Sequence, residues 1–337
     1  MAKLKPKGRY IVGAYATSPN LFSWDEKSEL NYFNRLKELT SIRGLEIPFW
    51  GKNLHAFDDS WFLSNLDSNW QNVLTCVPGT MKSLDKDPYF GLASINKKSR
   101  NNAIQFYSNA FKCVKQLKSA FGDESVKAIF ITSAPIINDK HVYANKENFI
   151  LSLIELASWD WGKTKLLIEH CDAYSSINHN PQKGFLSLTD EIDSILKVNL
   201  NHSSNYGIVI NWARSVIEYK DIEGPLKHLK NTVDHNVLDG LMFSGTTDND
   251  NNLYGAWSDL HMPPCNHLDF QFFESESLMS YNCIKKTLKA CNYDKLNCLG
   301  IKLLAMPSNS SIQKRISINR DAMMLLDQAI NEISEIY

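Results

Sequence analysis

The chain has 337 residues and carries 36 Lys and Arg against 37 Asp and Glu, a formal net charge of -1. With 43% hydrophobic and 22% charged residues it has a globular composition, which excludes a disordered, collagen-like or coiled-coil chain. Near-neutral charge removes the electrostatic ground for a nucleic-acid or anionic-membrane partner.

A prior of about 150 residues per domain points to two domains, although α/β barrels of this length form one. The seven cysteines (Cys76, Cys113, Cys171, Cys265, Cys283, Cys291, Cys298) are odd in number and lack CxxC spacing, so neither a disulfide framework nor a thiolate metal site is expected. Met1 to Gly8 is basic but lacks the apolar stretch of a secretory signal. No segment approaches about 18 uninterrupted apolar residues. These features predict a reduced, cytoplasmic protein with no membrane partner.

Along the chain, short apolar runs alternate with longer amphipathic segments. The first run is Tyr10 to Ala16, followed by a helical pattern over Asp25 to Leu39, with Leu30, Phe33 and Leu36 in register. Gly44 to Pro48 reads as a strand, Asp58 to Leu66 as a short helix, and Asn72 to Val77 as a third strand ended by Pro78-Gly79. Ser99 to Phe121 is a strong helical pattern, Val126 to Thr132 the fourth strand, and Lys146 to Trp159 the next helix. Lys165 to Glu169, Tyr206 to Asn211, Gly240 to Phe243 and Leu299 to Leu304 read as strands five to eight. Between and after them come helices over Leu188 to Val198, Pro225 to His235, Leu278 to Cys291 and Asn319 to Ile336. A long polar and aromatic loop, residues 244–276, follows strand seven and is expected to form a lid or binding loop.

Strands alternating with helices imply βαβ units and a parallel sheet. Eight such pairs at this length predict one (β/α)₈ TIM barrel over residues 1–337, with no linker marking a second domain. The absence of GxGxxG and GxxxxGK[ST] removes the best support for a nucleotide-binding fold.

A barrel places its chemistry at the C-terminal ends of its strands. There the chain carries Tyr15, Glu46, Glu169, Asn211 and Lys302, with His170, Asp172, Arg214, Asp259 and His261 just beyond. A charge inside a short apolar strand needs a partner or a function, because desolvation costs several kcal/mol. Glu169 ends the run Leu166-Leu167-Ile168 and is expected to face the barrel axis as a proton-transfer base or metal ligand; its bland alternative is a salt bridge with Lys302 or Arg214. His170 points the other way, toward packing or support, though it is also a substrate-binding candidate. Lys302 is expected to neutralise an anion, polarise a carbonyl or form a Schiff base, or else to pair with Glu46 or Glu169. Arg214 suits a carboxylate or phosphate, or braces the rim. His261 is a candidate acid, base or ligand in the long loop, and Trp257 a candidate substrate contact there.

With the strands placed, the chain resembles the xylose isomerase-like TIM barrels, a superfamily of sugar isomerases and epimerases that also holds the endonuclease IV type of repair enzyme. More closely it is similar to a bacterial family in that superfamily known as a domain of unknown function. The matching stretches include YIVGAYATSP (Tyr10 to Pro19), LEIPF (Leu45 to Phe49), NVLTCVPGTM (Asn72 to Met81), IEHCDA (Ile168 to Ala173), PQKGFLSL (Pro181 to Leu188), INWARS (Ile210 to Ser215), GLMFSG (Gly240 to Gly245) and YGAWSD (Tyr254 to Asp259). They cover most of the chain. The wider superfamily implies one divalent ion (Mn²⁺, Mg²⁺ or Zn²⁺) held by a Glu after strand five, an Asp or His after six, a His after seven and a Glu after eight. Glu169 matches the first position. Asn211, Ser244 and Lys302 stand at the other three, where amide and hydroxyl are poor ligands and an ammonium repels a cation. If a metal is held, Glu169 and His261 are its candidate ligands.

The resemblance implies a sugar or sugar-acid isomerase or epimerase working by proton transfer next to a carbonyl, with a lyase as a variant. Glu169, Lys302 and His261 are the expected catalytic residues, and Glu46, Asn211, Arg214, Trp257 and His170 the expected substrate contacts. The expected partner is a small polar, anionic, carbohydrate-like substrate, and a homo-oligomer is compatible with the superfamily. The alternatives are a divalent-metal-dependent isomerase and a non-catalytic carbohydrate-binding barrel.

Overall fold

The computed structural model describes residues 8–20, 23–202, 204–267 and 270–335. Most of the basic N-terminal segment and the final residue of the expected closing helix, Ile336, lie outside these residues.

Eight strands close into a parallel barrel in chain order: β1 (Tyr10–Val12), β2 (Ile42–Pro48), β3 (Asn72–Thr75), β4 (Val126–Ile131), β5 (Lys165–Glu169), β6 (Tyr206–Asn211), β7 (Leu238–Phe243) and β8 (Cys298–Ile301). The helices are α1 (Ala14–Thr17), α2 (Glu26–Lys37), α3 (Asp59–Asn65), α4 (Val77–Leu84), α5 (Lys97–Phe121), α6 (Lys146–Ala157), α7 (Leu188–His202), α8 (Trp212–Tyr219), α9 (Gly224–Asp234), α10 (Tyr281–Lys289) and α11 (Ile312–Ser334). The expected (β/α)₈ architecture is therefore observed. Among the described residues no helix is long and apolar enough to cross a membrane.

Successive strand residues point to opposite sides of the barrel wall. Ile11, Val73, Phe130, Leu167, Val209 and Met242 form the cluster inside it. Their neighbours Leu45, Ile47, Leu74, Ile131, Ile168 and Ile210 belong to the larger core between wall and helices. Carrying that alternation two residues further puts Glu169 inside and His170 outside. The same parity carries Thr75, Asn211 and Ser244 inward.

Several boundaries differ from expectation for local reasons. The first strand stops at Val12, and Ala14–Thr17 turns into helix α1. Gly13 lies so close to the mouth that a Cβ there would sit 2.8 Å from Lys302 Cγ. Strand β8 ends three residues earlier than expected, so Lys302 lies just past it. Its Gly300 packs against β1, where a Cβ would meet the Ile11 carbonyl oxygen at 2.1 Å. Helix α11 begins seven residues before Asn319, because Ser311 caps it by accepting from Lys314 N at 3.2 Å. The turn expected at Pro78-Gly79 is the first turn of α4, where proline is tolerated because its missing N–H has no partner to lose. Helix α8 was not expected; Asn211 caps it, accepting from Arg214 N. In the long loop, Gly245 pairs with Met262 and Thr247 with Ala256, which folds the segment back on itself.

Candidate active site at the barrel mouth

The C-terminal ends of the strands bring together a chain of buried charges. Lys302 Nζ lies 2.6 Å from Glu46 Oε1 and 3.1 Å from Glu169 Oε1. Lys302 is the group that meets the Glu46 carboxylate, which has no other hydrogen-bond partner among the described residues. Arg214 Nη1 approaches the same Glu169 oxygen at 2.7 Å, while Arg214 Nε donates to Asp259 Oδ2 at 2.9 Å. Lys183 Nζ donates to that Asp259 oxygen at 2.6 Å. Thr75 Oγ1 donates to Glu169 Oε2 at 3.4 Å. Glu46, Glu169, Lys302 and Arg214 are each at most 2% exposed. Asp259 thus ties the long loop to the barrel.

The environments push these carboxyls apart. Burial raises Glu169, but Arg214 and Lys302 outweigh it and hold the carboxyl below its ordinary value. Asp259 is held well below the usual range, burial being outweighed by Arg214, Lys183 and His261. Burial also dominates at Glu46, and Lys302 only partly offsets it, so its pKa rises to about 7. Burial would lower Lys302, but Glu169 and Glu46 lift it far above its ordinary value. Burial lowers His261, which Asp259 only partly reverses. Burial raises Asp172, whose Oδ2 accepts from Gln182 N and Lys183 N and whose Oδ1 has no hydrogen-bond partner among the described residues. Two carboxyls of one network therefore differ: Glu169 is fixed as an anion, and Glu46 exchanges its proton near neutrality.

A cavity of about 310 Å³ reaches this network from the side of β1 and β2. Tyr15 and Glu46 line it, together with Trp50, His55, Phe57 and Lys82. Glu29 lies in its wall, 3.6 Å from His55 Nε2 and accepting from Asn20 Nδ2 at 3.3 Å. His55 stacks on Phe62 with ring centroids 5.3 Å apart. Glu169, Arg214 and Lys302 do not line the cavity.

The barrel therefore gathers Glu46, Glu169, Arg214 and Lys302 as the strand ends suggest. The salt bridges offered as the bland alternative for Glu169 are present with both cations. Asn211 accepts from Ser244 Oγ at 2.9 Å, and among the described residues its Nδ2 has no hydrogen-bond partner. His261 joins only through Asp259, with Nδ1 3.3 Å from Oδ1. Trp257 lies apart from the network, with Lys220 Nζ 4.9 Å from its ring centroid. Lys183 and His55 were missed because each comes from a connecting segment with no periodic pattern around it, and Glu29 because it is a single buried carboxylate in the first turn of the amphipathic helix α2.

His170 lies on the far side of the wall. Its Nδ1 meets Glu191 Oε2 at 2.7 Å and its Nε2 meets Glu218 Oε2 at 3.0 Å. His228 Nε2 lies 3.4 Å from Glu218 Oε1. His170, Glu218 and His228 form the group of potential metal ligands found among the described residues. Glu191 and His228 take buried positions of α7 and α9, where the helical pattern called for apolar residues, and Glu218 lies in α8, over which no helix was expected. Glu191, between Leu188 and Ile192, was the readable signal.

The family-implied metal does not fit the mouth. A divalent ion beside Glu169 would share one carboxylate with an ammonium and a guanidinium at 3.1 and 2.7 Å, and Lys302 occupies the space between the two glutamates.

A family model described as Domain of unknown function (DUF4862) matches residues 11–318, so the chain belongs to that family. The uncharacterized protein STM3670 of Salmonella typhimurium is 33% identical over 326 residues, covering 97% of this chain and 99% of that protein. Solved structures that share the fold are xylose isomerase-like and sugar isomerase or epimerase barrels. D-allulose 3-epimerase from Methylomonas sp., in complex with D-allulose, has a TM-score of 0.55 at 12% identity, covering 99% of this chain and 98% of its own. The IolI protein, with a bound zinc atom, has a TM-score of 0.50 at 12% identity, covering 97% of this chain and 98% of its own.

Proposed function

We propose, with that family membership as the premise, that the protein is a carbohydrate isomerase or epimerase that moves a proton next to a carbonyl without a metal at the barrel mouth. One observation carries this: the cavity meets the charged network at Glu46, the carboxyl raised to about 7. A base poised near neutrality maximises both the fraction in the right protonation state and the driving force for transfer. This moves the role of base from Glu169 to Glu46.

In this mechanism Glu46, as carboxylate, takes the proton from the carbon beside the carbonyl. The C–H electron pair forms the enolate double bond, and the carbonyl oxygen becomes an oxyanion. Tyr15, which lines the same cavity and whose hydroxyl burial keeps protonated, donates a hydrogen bond to it. Return of the proton to the former carbonyl carbon, as the hydroxyl on the deprotonated carbon passes its own proton to the oxyanion and becomes the new carbonyl, gives the isomer and restores the Glu46 carboxylate. Return of the proton from Glu46 to the original carbon, after the enediolate has turned its opposite face to the carboxyl, gives the epimer.

Glu169 and Arg214 hold Lys302 and Asp259 in place, and so position the ammonium that stabilises the Glu46 anion. Asn20, Glu29 and His55 offer hydrogen bonds to hydroxyl groups, and Trp50 and Phe57 cover the C–H face of a small sugar. Lys82, 5.9 Å from the Trp50 ring centroid, meets the charge of an anionic substrate.

Incubation in D₂O with a panel of ketoses, aldoses, sugar acids and sugar phosphates tests the proposal, with loss of the C–H signal read by NMR. Exchange by the wild type, slowed about 100-fold or more in Glu46→Gln, is the expected outcome. Absence of exchange across the panel, or equal rates in the variant, overturns it.

A further inference from the structure

We propose that His170, Glu218 and His228 form a zinc site outside the barrel wall, separate from the mouth and serving to fasten helices α8 and α9 to strand β5. The three donors come from different elements: His170 follows β5, Glu218 lies in α8 and His228 in α9. Their ligand atoms all fall within 4.8 Å of one another. Tetrahedral zinc with bonds of about 2.0–2.1 Å needs neighbouring ligand atoms roughly 3.3 Å apart. Glu218 Oε2 lies 3.0 Å from His170 Nε2 and Glu218 Oε1 3.4 Å from His228 Nε2, close to that spacing through the two oxygens of one carboxylate.

The outer nitrogens of both imidazoles are supported as ligands require. His170 Nδ1 donates to Glu191 Oε2 at 2.7 Å, and Glu191 is itself held by the Ser133 hydroxyl at 2.5 Å. His228 Nδ1 is held by the Ser215 hydroxyl at 2.9 Å, which fixes the ring with Nε2 toward Glu218 Oε1, 3.4 Å away.

Charge points the same way. Glu191 and Glu218 supply two negative charges in a buried place, and a protonated His170 cancels one. Replacing the His170 Nε2 proton by Zn²⁺ cancels both. Imidazole and carboxylate donors suit zinc, and three protein ligands leave one position for water. Glu218, with its side chain 11% exposed, marks the way in. The backbone N–H of Ala173 holds its Oε2 at 2.9 Å.

The test is metal binding itself. The full chain is stripped with EDTA, dialysed and titrated with Zn²⁺ and with Co²⁺. Elemental analysis after gel filtration is expected to give one zinc per chain, with a rise in Tm. The cobalt form is expected to show the visible absorption of tetrahedral coordination. His228→Gln and Glu218→Gln, checked for folding by circular dichroism, are expected to bind zinc about tenfold or more weakly. Glu169→Gln, altered at the mouth alone, is expected to keep it. Wild type with no bound zinc at saturation, an octahedral cobalt spectrum, retention by both outer-site variants, or loss in Glu169→Gln would each overturn the proposal. The cobalt spectrum needs no variant to fold, and none of these readouts depends on isomerase activity.

Discussion

Glu169 and His170 are adjacent in the chain and on opposite sides of one barrel wall, and each sits between two opposite charges. At the mouth a carboxylate lies between Lys302 and Arg214; outside, an imidazole lies between Glu191 and Glu218. The two arrangements differ in what can be exchanged. Lysine and arginine are held protonated there, so the mouth carries its own fixed cations and repels another. An imidazolium can give its proton up to a metal, so the outer site admits one. Strand parity decides which residue faces which environment.

Lys302→Met attacks the mouth directly and should have the largest effect. It strips the ammonium from Glu46 and half the cationic surround from Glu169, both buried. Removing one partner of a buried ion pair costs about 3–5 kcal/mol, readable from the midpoint of chemical denaturation. Lys302→Met combined with Glu46→Gln should recover part of that loss, because the uncompensated carboxylate is gone. If the double variant is no more stable than the single one, the Lys302–Glu46 contact does not couple as its geometry implies.

Glu46→Gln alone should change stability in a pH-dependent way. The folded protein raises this carboxyl from 4.5 to about 7, so it binds the proton more tightly than the unfolded chain does. The protonated group's contribution is fully present below about pH 4.5 and is lost as pH rises through about 7. Glutamine stays neutral throughout. The variant should match wild type near pH 4.5 and exceed it above pH 7, by up to about 3 kcal/mol if the whole shift is realised. Unfolding curves across that range check the sign; a variant that weakens instead as pH rises would place the Glu46 charge in a favourable site.

The barrel was readable from the chain because its signals are local. Each strand is a short β-branched run, and each helix repeats apolar residues at its own spacing. The inward charges were readable for a related reason: Glu46, Glu169 and Lys302 interrupt or end apolar runs. Which carboxyl exchanges its proton was not. That depends on Arg214 of α8 and Lys302, just past β8, converging on Glu169, while the cavity opens on Glu46. The outer cluster was hidden more deeply. Glu191, Glu218 and His228 each occupy one buried position of an otherwise ordinary amphipathic helix, and only the packing of three helices brings them to His170.

Glu218→Gln tests the outer half of the contrast and should have the smallest effect in metal-free protein. Glutamine still accepts from His170 and from Ala173 N, and loses only the charge. Burial raises Glu218, yet His170 and His228 outweigh it and hold the carboxyl below its ordinary value, so the ionised form stabilises the fold. Losing that charge should cost about 1–2 kcal/mol at neutral pH. Added Zn²⁺ should then separate the proteins further, because binding stabilises only the chain that can bind. Wild type and Lys302→Met should both gain thermal stability with zinc, and Glu218→Gln should gain clearly less at the same zinc concentration. Equal gains in all three would mean that the two sides of the wall do not differ toward a cation, since the ion would then be held away from both.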